Sequence, residues 1–273
     1  MKRASVVLVI LSVIFASCAS QFGKVLKSKD NEYKYKMAEQ YYAKKKYNQA
    51  QQLFEDLFPY VKGTNRFEDL YYKYAYAAFY QKDYMNAENL FKTFAETFPT
   101  SGKAEEAEYM RAYSFYMQSP KVELDQTNTT KTIGLMQAFI NQHPNSARVA
   151  EANRIIDNSR QKLELKELKS AELYYNLGYY RAAAIAYSTL MENYPDSERS
   201  EEYKLSVIKS YFKYAEMSVP EKQEERFEKV ITEVTDFVDR FPESKYLDDA
   251  NNYKNLSSNN IKNLKNEQTK KTT

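Results

Sequence analysis

The chain contains no tryptophan, one histidine, one cysteine and, in 273 residues, only five glycines and seven prolines. Each shortage removes a class of function. A single cysteine, Cys18, cannot form an internal disulfide. With His143 as the sole histidine, there is no His/Cys cluster at metal-ligand spacing, so no metal site is expected. The sparse glycines build neither a phosphate-cradling loop nor a nucleophile elbow. So few chain breakers also leave little room for an all-β fold built on tight turns, whereas long helices are permitted. Charge of one sign is lacking as well: 40 basic and 37 acidic residues are mixed along the chain, and without a basic stripe nucleic acid is not an expected partner. Acidic pairs such as Glu105-Glu106, Glu201-Glu202 and Asp248-Asp249 stand where helices begin and suit the helix dipole there. No catalytic residue and no cofactor are expected, and the chain reads as a binding protein, not an enzyme.

The longest apolar run, Ala4 to Phe15, has 12 residues, against the roughly 20 that a bilayer-spanning helix needs. It follows Met1-Lys2-Arg3 and ends at Ala16-Ser17-Cys18, the three-part layout of a secretory signal peptide over 1–17. Phe15-Ala16-Ser17-Cys18 resembles the lipobox of bacterial lipoproteins, with Phe15 where leucine is usual. The resemblance implies cleavage before Cys18 and covalent lipid on it, and several acyl chains anchor stably where one is marginal. Ala19 follows rather than Asp, so an inner-membrane retention signal is missing. Residues 18–30 show no clear period and are expected to be a tether.

What the chain has in abundance is aromatic residues, 26 Tyr and 15 Phe, and a repeat. Phe98-Pro99-Thr100-Ser101, His143-Pro144-Asn145-Ser146, Tyr194-Pro195-Asp196-Ser197 and Phe241-Pro242-Glu243-Ser244 each close one amphipathic stretch and open another, with Phe58-Pro59 as a degenerate earlier member. Proline disfavours helix in the residue before it, and the Ser two positions on can cap the next helix. His143 replaces an aromatic in this motif, so packing or capping is its expected role. Inside the units, Ala50, Ala87 and Ala183 each begin an apolar i, i+4, i+7 set, and Ala38, Ala75 and Ala171 precede them by 12 residues. Thr132 and Val230 replace the alanine in two looser units, whose turns at Ser119-Pro120 and Ser218-Val219-Pro220 are longer. The pattern resembles the tetratricopeptide repeat. It predicts an all-α fold: a right-handed superhelix of about five helix pairs plus a C-terminal capping helix. Three pairs are expected over 31–145. A second group over 146–264 would contain a long connecting helix, since no Pro or Gly interrupts Asn145 to Gly178, and a cap carrying Leu247, Ala250 and Tyr253 inward. The Lys/Asn/Thr-rich end, 265–273, has the composition of a disordered tail. Lys44-Lys45-Lys46 reads as the solvated end of a helix.

Aligning the first three units on Ala38, Ala75 and Ala112, 37 residues apart, yields three columns: Tyr35, Tyr72, Tyr109; Glu39, Tyr76, Tyr113; and Tyr42, Phe79, Tyr116. On the concave face of a helical solenoid these eight aromatics would form a groove suited to extended peptides, because Tyr joins apolar area to a polar tip at low entropy cost. Packing between repeats would use the same residues, and the sequence leaves both readings open.

The lipobox, the repeats filling the mature chain and the stretch from Ala171 to Ala183 followed by Tyr187 and Tyr194-Pro195-Asp196-Ser197 together resemble the BamD family of tetratricopeptide lipoproteins. That resemblance implies a subunit of the outer-membrane β-barrel assembly machinery, lipid-anchored and facing the periplasm. Its partners would be a BamA-type insertase, bound mainly through the C-terminal repeats, other subunits of the machinery, and unfolded β-barrel substrates engaged by the N-terminal repeats through an aromatic-ended C-terminal signal. Arg199, in the turn after Pro195, is a candidate for partner contact. The alternative is an adaptor lipoprotein for secretin assembly, export or cell-wall synthesis.

Overall fold

The computed structural model describes residues 21–272, and all of its regular structure is helical. A short helical segment over 21–26 precedes eleven helices among the described residues. These are α1 (Asn31–Ala43), α2 (Tyr47–Val61), α3 (Arg66–Tyr80), α4 (Tyr84–Thr97), α5 (Ala104–Met117), α6 (Thr127–Gln142), α7 (Val149–Asn176), α8 (Tyr180–Asn193), α9 (Ser200–Glu216), α10 (Pro220–Arg240) and α11 (Leu247–Thr272). The expected signal peptide and Cys18 lie outside the described residues.

Small residues sit where helices cross. Ala38, Ala50, Ala75, Ala87, Ala171 and Ala183 are fully buried, and so are the substitutes Thr132 and Val230. Around them Phe54, Phe91, Phe94, Phe139, Phe227 and Phe237 are also buried, each such side chain contributing about 1.5–3 kcal/mol against exposure. Pro220 starts α10, at the position where a missing N–H costs nothing.

The Pro-x-Ser motif does more than stop one helix and start another. In all four copies the Ser hydroxyl accepts from the backbone N–H two residues on: Lys103, Arg148, Arg199 and Tyr246 at 3.0–3.1 Å. It also donates to a Glu of an earlier helix. Ser101 reaches Glu68, Ser146 reaches Glu105, Ser197 reaches Glu164 and Ser244 reaches Glu201. One hydroxyl therefore satisfies a helix-start donor and ties that start to the preceding pair.

The chain divides within α7 into a first unit ending at Ser159 and a second beginning at Arg160. The sequence reading placed this boundary at 145–146. The early turns of α7 belong instead with the first unit, because Ala152, Ile155 and Ile156 are buried in its core beside Met136 and Phe139. In the second unit Leu168 and Ala171 pack on α8, while Ala250 closes a core formed with α9 and α10. Leu247 and Tyr253 face that same core, as α11 was expected to present them.

Three local expectations are corrected. Pro59 does not end a helix; it lies inside α2, which continues to Val61 because a proline in the last turn sacrifices a single backbone bond and Val61 is buried beyond it. The helix α11 runs to Thr272, through the stretch from residue 265 where the tail was expected. The described part of the tether, 21–30, is docked rather than free. Val25 is fully buried, Phe22 meets Tyr41 edge-on at 5.6 Å, and Leu26 packs on the same core.

Candidate functional site: an aromatic cleft in the first unit

The first helices of the repeats bring their tyrosines to one open cleft of about 520 Å³, lined by Tyr42, Tyr72, Tyr76, Phe79, Tyr80, Glu106, Tyr109, Met110, Tyr113, Arg148 and Glu151. Six of the eight column residues are thus together. Tyr35 and Tyr116 are not part of the lining. Tyr35 lies beneath the Arg66 guanidinium, 5.1 Å away, and Tyr116 packs on the core beside Tyr113.

The cleft and the core share residues. Tyr76 meets the buried Phe91 edge-on at 5.0 Å, and Tyr109, 2% exposed, stacks on Tyr113 and packs against Phe139. The rings thus fill between helices, and those of six column residues also line the cleft.

A polar relay crosses the floor. The Tyr72 hydroxyl donates to that of Tyr76 at 3.5 Å, and Tyr76 donates to Glu106 at 2.9 Å. Arg148 forks onto Glu106 through Nε at 3.1 Å and Nη2 at 2.7 Å, and its Nη1 reaches Glu151 at 3.0 Å. Its guanidinium also lies 4.7 Å from the Tyr109 ring. Burial first, then the contacts with Tyr72 and Glu106, hold the Tyr76 hydroxyl far above the usual phenol range, so it stays a neutral donor. Burial, reinforced by Glu151, does the same for Tyr109. Two carboxylates and one guanidinium leave the floor with a net charge of about −1. The Tyr72 and Tyr76 hydroxyl protons are thus committed within the relay, and the cleft offers aromatic faces and phenol oxygens, with no unpaired cation for a carboxylate.

Tyr80, Glu106, Met110, Arg148 and Glu151 were missing from the sequence-derived set. Tyr80 was within reach of it, being four residues beyond Tyr76 on the same helical face. It is 48% exposed and stacks on Tyr47 at 4.6 Å.

Compared with known proteins, residues 27–226 match the family model described as "YfiO: Outer membrane lipoprotein". The chain belongs to this family. It is the BamD family of the resemblance drawn from sequence, a family of non-enzymatic assembly factors of the outer membrane. A search of the curated proteins finds no match. Among solved structures, the TPR2AB domain of yeast Sti1 in its pHSP90 complex is similar over 84% of this chain and 98% of that one, at 10% identity and a TM-score of 0.38, a likeness too distant to bear on function.

As a YfiO-family lipoprotein the chain is placed at the outer membrane, and no helix among the described residues is long and apolar enough to cross a membrane. Nor does any group of three His, Cys, Asp or Glu side chains among them converge to hold a metal ion. His143 ends α6, with Nε2 2.7 Å from Glu108 and its ring against Phe139, a packing and capping role. Arg199 sits in the second unit on the turn before α9, exposed but engaged by Glu202 through two 2.9 Å contacts and lying over Tyr203.

Proposed function

We propose that this YfiO-family lipoprotein serves the β-barrel assembly machinery by holding the aromatic-ended C-terminal segment of an unfolded barrel in the cleft of its first unit, while its second unit docks on a BamA-type insertase. The observation that carries the first half is the cleft itself: an open, tyrosine-lined surface pre-formed by packing. Aromatic faces and phenol tips suit an extended chain that presents alternating apolar side chains and free backbone groups. Because the floor is slightly negative, recognition rests on the segment's aromatic side chains, and its terminal carboxylate points away from Glu106 and Glu151. The second half is supported by apolar residues left exposed in the turns of the second unit: Leu177 and Tyr179 between α7 and α8, Met217 and Val219 between α9 and α10. Arg199 remains the candidate polar contact there. In this reading Cys18 carries the lipid that anchors the chain in the outer membrane.

The test is fluorescence anisotropy with a labelled peptide copying a barrel C-terminus. Tyr80 is the most exposed ring in the cleft. Tyr80→Ala should weaken binding about tenfold, the loss expected for an anchoring aromatic, with little change in melting temperature. Tyr174→Ala, an exposed tyrosine of the second unit, should leave peptide binding unchanged. Equal affinity in the Tyr80 variant and the wild type would sink the cleft as the reader.

A further inference from the structure

We propose that the turn edge of the first unit docks on anionic phospholipid headgroups of the leaflet that holds the lipid anchor, so that the repeats lie against the membrane instead of hanging from it. The proposal rests on the lipidation of Cys18 inferred above.

Three observations converge. The first is proximity. Phe22, four residues after Cys18, is fixed against Tyr41, and four residues span at most roughly 14 Å. The Tyr41 ring also carries the Lys46 ammonium, 5.8 Å from its centroid. The anchored end of the chain therefore leads straight to the α1–α2 turn.

The second is charge. That turn is Lys44-Lys45-Lys46, all exposed. The α3–α4 turn lies at the same end, since Tyr80 stacks on Tyr47 and Gln81 donates to Gln51; it adds the exposed Lys82. Lys24 is exposed next to the docked segment. None of these five lysines forms an ion pair among the described residues. The one carboxylate in the two turns, Asp83, is turned to the N–H of Asn86.

The third is backbone conformation. Lys45 and Lys82 are the only non-glycine residues with positive φ among those described, at 58° and 64°, and they occupy equivalent places one repeat apart. The matching turn of the second unit has Gly178 at φ 80°. Glycine adopts this conformation at no steric cost, and a lysine does not. A side chain kept at a strained turn in both repeats, and of the same sign, points to a task for the charge.

Cations near an anionic bilayer gain about fivefold in partitioning apiece, within a Debye length of the surface. The experiment uses the mature chain with Cys18→Ser, so that no acyl group contributes. It is floated with vesicles of phosphatidylcholine alone or mixed with phosphatidylglycerol. The wild-type lysines should give binding only to the mixed vesicles, weakened by salt. Lys45→Gly with Lys82→Gly should cut that binding by more than tenfold while the melting temperature holds or rises, because the strain is relieved. Lys44→Gln with Lys46→Gln should cut it similarly. Lys254→Gln with Lys262→Gln, exposed on α11 in the second unit, removes the same net charge and should change little. Binding to pure phosphatidylcholine, undiminished binding in both turn variants, or equal loss in the α11 pair would each overturn the proposal. Absence of labelled palmitate at Cys18 in the wild-type chain would instead remove the anchor reading, which the vesicle assay does not depend on.

Discussion

Arg148 is the most connected cation of the cleft, and its removal tests whether the relay holds the first unit together. In Arg148→Met the side chain keeps most of its apolar length but loses three charge-assisted contacts, two to Glu106 and one to Glu151, and its place over Tyr109. A hydrogen bond to a charged group contributes about 1.5–3 kcal/mol where water is excluded. The Arg148 side chain is 40% exposed, so screening reduces the Glu106 fork to about 1–1.5 kcal/mol and the Glu151 pair to a few tenths. The aromatic contact adds about 0.5 kcal/mol at such exposure. A loss near 2 kcal/mol follows, which for a unit of this size lowers the melting temperature by about 4–8 °C. Arg148→Lys retains the charge but cannot fork and should lose about half as much. Thermal unfolding followed by circular dichroism reads the shift. A double-mutant cycle with Glu106→Gln should return a coupling of about 1 kcal/mol, since the two side chains touch. A melting temperature within a degree of wild type, or a coupling near zero, would show that the relay is an ornament of the surface and that Tyr76 and Tyr109 are positioned by packing alone.

In the second unit, Lys204 is buried between Glu233 and Asp236. Lys204→Met should cost about 2–3 kcal/mol, below the usual loss for a broken buried pair because Glu233 keeps Lys229 at 2.6 Å; urea unfolding measures it, and Lys204→Met with Glu233→Leu should recover most of the loss. Although burial opposes it, the hydrogen bonds from Lys204 and Lys229 leave the Glu233 carboxyl below its ordinary pKa. Its stabilisation is therefore complete above the unfolded carboxylate value of about 4.3 and fades as pH falls through the lower folded value, so the gap between wild type and Lys204→Met should narrow in acid. Val25→Ala should cost about 1–2 kcal/mol and expose amides 24–28 to hydrogen exchange, because Val25 holds the N-terminal segment to the first core; unchanged exchange would mean the segment is free in solution. Cys18→Ala should leave the fold intact and release the protein from membranes after a salt wash, as read by fractionation; a variant that still pelleted would have another principal anchor.

The repeat was legible because its signals are local and steric. An alanine every half repeat is forced wherever two helices cross closely, and Pro-x-Ser must fall between pairs. The same locality explains the misreadings. Pro59 looks like the other prolines in sequence, and only the burial of Val61 after it shows that the helix continues. The segment 21–26 is too short to display a period, yet Phe22, Val25 and Leu26 at i, i+3, i+4 already mark one apolar face. Glu106 and Arg148 could not be paired in advance, since they are 42 residues apart and meet only because α5 and α7 are packed together. The four Glu partners of the motif serines were hidden for the same reason.

The cleft also shows why columns of tyrosine resist a choice between core and binding surface. Tyr76 presents its ring edge to Phe91 and its hydroxyl to Glu106, so one residue carries apolar packing inside and a donor outside. Truncating it to alanine removes both, and a fall in affinity would then report a collapsed wall as readily as a lost contact. Tyr76→Phe separates the two. It keeps the ring against Phe91 and deletes only the donor, leaving Glu106 to Arg148. If peptide affinity falls while the melting temperature moves by less than the loss expected for Arg148→Met, the hydroxyl row is read by the ligand. If affinity holds, recognition is carried by aromatic faces alone, and Tyr80, the ring least committed to the core, becomes its main determinant.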